Sequence, residues 1–247
     1  MNYKIGINNS ITEYKNSVFE TFLIEDGHPY FLDAHLNRLK KACKVKLDIE
    51  INIKSIASFI NDNIPIEGKS GGRLVCNFDS CILSFRDVEY KGSSFLEIAS
   101  VIRDSKDEKY FYKTNDYFER LEELKKAREL SFIDSIYLNE KGFVTSCSIA
   151  NIYFFKAGVI YTPSIDNGLL NGIIRSIILE SNNCKEGNFT IKDFIESDGI
   201  FISNSLLEIF RIDGIIDQKV IFDELTFKKI RNSYFREKNI DRRKNFG

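Results

Sequence analysis

The sequence predicts an α+β fold in two domains, and three observations lead there. Strand-like and helix-like segments occur in both halves of the 247 residues, but they do not alternate strictly enough for a doubly wound parallel sheet. The most polar stretch between structured segments, SKDEK at 105–109, marks a boundary. It separates an N-terminal α/β domain (1–106) from a β-rich C-terminal one (107–247). Hydrophobic residues make up 43% of the chain, enough for a sizeable core.

Taken in order, SVFETFLIED reads as a strand, DGHP as a turn, and YFLDAH as a short strand leading into the helix DAHLNRLKKACKV, with Asp33 as its N-cap. Leu36, Leu39 and Cys43 recur at helical spacing and point inward. IKSIASFINDNI is a second amphipathic helix. GRLVCNF and CILSFRDVEY are strands joined through Asp79 and Ser80, and LEIASVIR is another. A helix starts around Asp116, with Phe118, Leu121 and Leu124 as its apolar stripe and Glu122 with Lys126 as a supporting pair. DSIYLNEKGFVTSC and NIYFFKAGVIYTP are hairpins, turning at 139–142 and 156–158. LNGIIRSIILES is a buried helix entered through Gly172. DGIFISNS and LEIFRIDGIIDQKVIF are late strands, and FDELTFKKIRNSYF is a closing helix. The basic tail, 235–247, reads as a solvated, partly frayed terminus.

Composition excludes several functions. Thirty-five basic against 36 acidic residues give a net charge of −1, with no field for nucleic acid or an anionic membrane. No apolar run reaches the roughly 18 residues of a membrane span, and the start does not read as a signal peptide. The five cysteines, Cys43, Cys76, Cys81, Cys147 and Cys184, show no C-x-x-C spacing. They read as free thiols of a reducing cytoplasm. Two histidines leave little for a metal centre, and no phosphate loop or G-x-G-x-x-G is present.

What remains is a set of polar residues at element junctions. Lys113 follows an extended YFY run, and a lysine among aromatics is either a surface side chain or a desolvated Schiff-base former. Gly172 opens a helix whose first N–H groups suit an anion. Ser203, Asn204 and Ser205 end a strand and offer hydroxyls to a turn or a phosphate. Arg38 lies between inward positions and needs an anion, either a protein carboxylate or a ligand phosphate.

In this order the residues resemble the class IV aminotransferase family, the fold type IV pyridoxal-phosphate enzymes. That family groups branched-chain aminotransferases, D-amino acid aminotransferases and 4-amino-4-deoxychorismate lyases. The likeness runs from about Phe19 to Val220. Four blocks carry it: FETFLIEDGHPYFLDAHLNRL; YKTNDY; the run from DSIYLNEKGFVTSCSIANIYFFKAGVIYTP to LLNGIIRSIIL; and ISNSLLEIFRIDG. The resemblance implies a D-amino acid aminotransferase-like fold of two domains, with pyridoxal 5′-phosphate in the interdomain cleft, and a homodimer. It makes Lys113 the Schiff-base lysine and acid/base, and places Tyr117 by the cofactor's phenolic oxygen. Arg38, the amides of Ile173 and Ile174, and the Ser205 hydroxyl become the phosphate ligands. Thr21, Arg73 and Arg86 become candidates for substrate carboxylates or proton transfer.

One position departs from the family pattern. Where a glutamate usually pairs with the pyridine nitrogen, GFVTSCSIAN has Ser146. A hydroxyl cannot hold a pyridinium as a carboxylate does, so the ring is a weaker electron sink. That favours a lyase, releasing pyruvate as 4-aminobenzoate forms, over a transaminase. The NSLL segment also resembles the lyase branch. An amino-acid aminotransferase and a family member without turnover are the alternatives.

Overall fold

The computed structural model describes residues 4–7, 16–88, 93–115 and 118–244. The chain divides into two units that interleave in sequence. One comprises Met1–Glu89, Tyr112–Asp116 and Lys238–Gly247; the other comprises Tyr90–Phe111 and Tyr117–Glu237.

The first unit holds β1 (Lys4–Ile7), β2 (Val18–Glu25), β3 (His28–Pro29), α1 (Leu32–Leu47), α2 (Ile53–Asn63), β4 (Lys69–Cys76) and β5 (Ser80–Asp87). Its sheet runs β1-β5-β4-β2-β3, antiparallel except for the β1–β5 pair. Alternation on β2 sends Val18, Phe22 and Ile24 into a core with Leu36, Leu39 and Cys43 of α1 and Ile56 and Ile60 of α2. Asp26 and Gly27 turn the β2–β3 hairpin with positive φ at both positions.

Three expectations are corrected here. The strand before α1 is His28–Pro29, and the helix begins at Leu32. Its N-cap is therefore Phe31, in the left-handed region, while Asp33 sits in the first turn. The Phe31 N–H donates to Asp241 Oδ2 (2.8 Å), a partner 210 residues away that local capping rules cannot foresee. Cys76 and Cys81 are not free thiols. They face each other across the β4–β5 hairpin and form a disulfide, leaving Cys43, Cys147 and Cys184 free among the described residues. Sequence spacing hides this pair because the β4–β5 pairing across the 77–79 turn, not a C-x-x-C loop, sets the register. The basic tail is also helical through Lys244, the last described residue. Lys238 is buried and donates to Glu25 (2.9 Å), and Asp241 also bonds His28 Nε2 (3.1 Å).

The second unit holds β6 (Phe95–Arg103), α3 (Phe118–Glu129), β7 (Asp134–Asn139), β8 (Val144–Cys147), β9 (Asn151–Lys156), β10 (Val159–Pro163), α4 (Ile173–Ser181), β11 (Cys184–Gly187), α5 (Ile191–Ile195), β12 (Gly199–Asn204), β13 (Glu208–Ile212), β14 (Gly214–Ile215), β15 (Gln218–Lys219) and most of α6 (Glu224–Lys244). Two sheets form, in orders β11-β10-β9-β12-β13 and β15-β14-β6-β7-β8. They share one core, with Leu96, Ile136 and Val144 from one sheet and Ile152, Phe154, Ile200 and Ile202 from the other. The β6 strand belongs here because it pairs in parallel with both β7 and β14.

The polar SKDEK stretch lies within this unit. Ser105 is buried there, its N–H and Oγ donating to Glu140 at 2.8 and 2.6 Å. On α3 the buried stripe passes through Leu124 and Ala127 while Leu121 is exposed, and Lys126 pairs with Glu123 (2.7 Å) rather than Glu122. No helix among the described residues is long and apolar enough to cross a membrane.

The docking of the α6 terminus gives a first prediction. Asp241→Ala strips the acceptor from the Phe31 N–H at the start of α1 and costs about 1–3 kcal/mol of stability in urea denaturation. Asp241→Asn, which keeps an oxygen there, loses less.

Candidate functional site

The first unit gathers charged groups around the start of β2. Glu20 falls on the core face of that strand, among Val18, Phe22 and Ile24, where an unpartnered carboxylate would be costly. Helix α1 supplies the partners. His35 and Arg38 are three residues apart and share its inner face. Arg38 grips Glu20 in a fork, Nε to Oε1 and Nη2 to Oε2, both at 2.7 Å, and His35 Nδ1 lies 2.7 Å from Oε2. Of the two anions expected for Arg38, the structure supplies the protein carboxylate.

Burial pushes the Glu20 carboxyl up. The charge and hydrogen bonds of Arg38, with those of His35, outweigh it and hold the group at about 2. Burial pushes His35 down, beyond what Glu20 restores, and the charges of Arg38 and Lys113 act in the same direction. A neutral imidazole donating Nδ1–H to Glu20 satisfies both groups.

Lys113 is placed by backbone pairing. Its carbonyl accepts from Phe19 N (2.9 Å), and Thr114 forms a bridge with Val18. The half-buried Nζ lies 4.5 Å from the centre of the Phe19 ring. Arg73, the register partner of Thr21 on β4, sets its guanidinium 4.3 Å from the same ring and donates to Asn115 Oδ1 (2.9 Å). Lys113, Arg73 and Thr21 are thus brought to one region of the first unit. Arg86, near the end of β5 and opposite Gly71, is exposed. Tyr117 and Asp116 lie outside the described residues.

The second unit carries the other group of residues. Helix α4 starts at Ile173 with Gly172 as N-cap and no side chain capping it, so the first N–H groups are not closed off by a serine or aspartate. Gly172 is required by packing: a Cβ there would stand 2.2 Å from Asn151 Oδ1. Asn151 also donates to Leu170 O (3.0 Å) and is the register partner of Ser203 on β12. The turn bearing Ser205 follows directly, held by Asn204 Oδ1 accepting from Leu206 and Leu207 N–H. Asn151, which sequence reasoning did not single out, therefore stands between Gly172 at the start of α4 and Ser203, two residues before Ser205. Arg175 of the same helix is fully buried and ties α4 to Pro163 O, Asn171 and Glu186.

Ser146 is buried on β8. Its Oγ accepts from Arg103 Nη1 (2.8 Å) and donates to Cys147 O (3.0 Å). Asp79 is exposed in the β4–β5 turn of the other unit, and Glu208 accepts from Tyr234 Oη (3.2 Å). Arg103 and Glu20 were both missed from sequence. The available signal was a charged residue on an otherwise apolar strand.

This donor set suits the phosphate end of the implied cofactor: uncapped amides at a glycine-led helix start, beside a hydroxyl-bearing turn. At Ser146, where the resemblance implies a carboxylate for the ring nitrogen, the structure has a hydroxyl bonded to a guanidinium.

Comparison with known proteins follows the same pattern. The sequence model of the amino-transferase class IV family matches residues 17–215. The aminodeoxychorismate lyase of Bacillus subtilis is 24% identical over 223 residues, covering 79% of this chain and 76% of that protein. The structure of the Escherichia coli branched-chain amino acid aminotransferase superposes with a TM-score of 0.78 at 19% identity, over 90% of this chain and 84% of that one. A candidate 4-amino-4-deoxychorismate lyase from Legionella pneumophila gives a TM-score of 0.76 at 20% identity, over 88% and 89%.

The Glu20 cluster makes a pH prediction. A carboxyl held at about 2 in the fold, against 4.5 ordinarily, adds stability above pH ~4.5 that is lost as pH falls toward 2. The lowered His35 also binds its proton more readily when unfolded, so its effect removes stability as pH drops through the ordinary histidine range. Glu20→Gln flattens the acid limb of denaturation midpoints against pH and costs about 3 kcal/mol at neutral pH.

Proposed function

This chain belongs to the amino-transferase class IV family, and from that membership we propose a pyridoxal-phosphate-dependent lyase of the 4-amino-4-deoxychorismate lyase type. The family is one of pyridoxal-phosphate-dependent lyases and aminotransferases. The finer reading rests on Ser146, a buried hydroxyl where the family pattern has a carboxylate. The likeness to a lyase along 79% of the chain supports it.

In this reading the bound cofactor supplies an aldehyde for amines and a ring that accepts electrons. Lys113 Nζ would hold the cofactor and, once the substrate's amine has taken its place, would serve as the base for the proton on the substrate's ring carbon and as the acid that returns it to the departing enolpyruvate, which leaves as pyruvate. Its seat against Phe19 keeps the amine near an apolar surface. The α4 amides of Ile173 and Ile174 and the Ser205 hydroxyl take the phosphate. Arg38, whose Nε and Nη2 hold Glu20, keeps the role of a positive charge for the phosphate that the resemblance implies. Arg73 and Thr21 face a substrate carboxylate, with Arg86 as an outer charge, and Tyr117 takes the phenolic oxygen. Product aromaticity offsets the weaker electron sink. A homodimer and a cytoplasmic location belong to the same proposal.

The direct test is product formation from 4-amino-4-deoxychorismate. The wild type yields 4-aminobenzoate and pyruvate in equal amounts, and Lys113→Ala loses about 10²–10⁴-fold or more. Faster amino transfer from an amino acid to a 2-oxo acid than pyruvate release would instead establish an aminotransferase. Gly172→Ala, which displaces the start of α4 against Asn151, raises the cofactor Kd about tenfold or more.

A further inference from the structure

We propose that Arg103 and Ser146 together hold the ring nitrogen of the bound cofactor unprotonated, with Arg103 as a positioning residue that reverses the polarity the family pattern builds there. The inference rests on the reading above, in which Ser146 faces that nitrogen.

Arg103 ends β6 and is only 1% exposed. Its guanidinium lies 3.7 Å from the centre of the Tyr137 ring and 5.0 Å from that of Tyr110. Nη1 donates to Thr145 Oγ1 (3.1 Å) as well as to Ser146 Oγ (2.8 Å). Two aromatic faces and two hydroxyls on β8 therefore hold the group in one place.

Ser146 can serve the nitrogen in either protonation state, and the charge of Arg103 decides between them. A serine hydroxyl has one proton to give and two acceptor positions. Arg103 occupies one acceptor position of Ser146, and the hydroxyl proton points to the Cys147 carbonyl at 3.0 Å. An unprotonated ring nitrogen needs a donor, and Ser146 can turn its proton from one acceptor to the other. A protonated nitrogen could use the remaining acceptor position of Ser146, but it would then stand beside the guanidinium that donates to the same oxygen. A like charge nearby disfavours protonation.

Three buried carboxylates of this unit serve other groups, Glu123 accepting from Ser100 and Lys126. Asp134 accepts from the N–H groups of Ser135, Ser148 and Ile149, and Glu208 accepts from Tyr234. A neutral ring withdraws electrons less, which suits a reaction driven by aromatisation and disfavours amino transfer.

The test is ¹⁵N NMR of the full-length protein loaded with ring-¹⁵N pyridoxal phosphate, beside Ser146→Glu and Arg103→Gln. The expected wild-type resonance stays in the neutral-pyridine range across the stable pH range. Ser146→Glu moves it to the pyridinium range, and Arg103→Gln raises the pH at which the nitrogen titrates. A pyridinium signal in the wild type overturns this inference and leaves the lyase reading standing. So does a Ser146→Glu resonance that has not moved. If Arg103→Gln does not fold, the wild-type and Ser146→Glu spectra decide alone. Failure of the wild type to retain any cofactor through dialysis overturns both the inference and the reading beneath it.

Discussion

A buried carboxylate sets the geometry of the first unit. Glu20 occupies a place on β2 where its neighbours along the strand face are apolar, so it is tolerated only because α1 brings both His35 and Arg38 to it. The same three contacts fix the rotation of α1 against the sheet. They also hold a guanidinium beside the segment that carries Lys113, whose charge is felt at His35. The H-x-x-R spacing on α1 is thus a packing requirement before it is a ligand motif. The terminal turns of α6 brace the other end of this helix–strand pair, through Lys238 to Glu25 and Asp241 to Phe31.

The second unit handles a buried charge in the opposite way. Arg103 is embedded among hydroxyls and aromatic rings, and the position beside it is a serine. Where the family pattern places a negative group, this chain presents a cation-backed hydroxyl. The phosphate end, by contrast, follows the pattern: a glycine packed on Asn151 starts α4 without a capping side chain. In the proposed reading one end of the cofactor is therefore met in the ordinary way and the other is not. That contrast is the physical ground for preferring chemistry that asks little of the ring.

Much of this was legible in the residues. Alternation located β2, β4 and β5, and Ala157–Gly158, both with positive φ, turn the β9–β10 hairpin as the sequence suggests. The i, i+3, i+7 spacing gave the buried face of α1 correctly. The resemblance supplied the order of site residues; the structure brings Lys113, Arg73 and Thr21 to one region of the first unit, and in the second sets Asn151 between the start of α4 and the strand that leads to Ser205.

What escaped depends on distant register. The Cys76–Cys81 disulfide needs the β4–β5 pairing, the α1 cap needs Asp241, and the helical end of α6 needs a surface to dock on. Hydropathy alone reads a charge on a strand as an exposed position. That is why Glu20 and Arg103, both buried, went unnoticed.

The central claim is that Lys113 holds pyridoxal phosphate in this chain. A visible absorption titration of the purified protein with the cofactor, run beside Lys113→Ala, tests it most directly. The account predicts a saturable new band in the wild type that is absent from the variant. The same band in both proteins, or none in the wild type at high cofactor concentration, would contradict it.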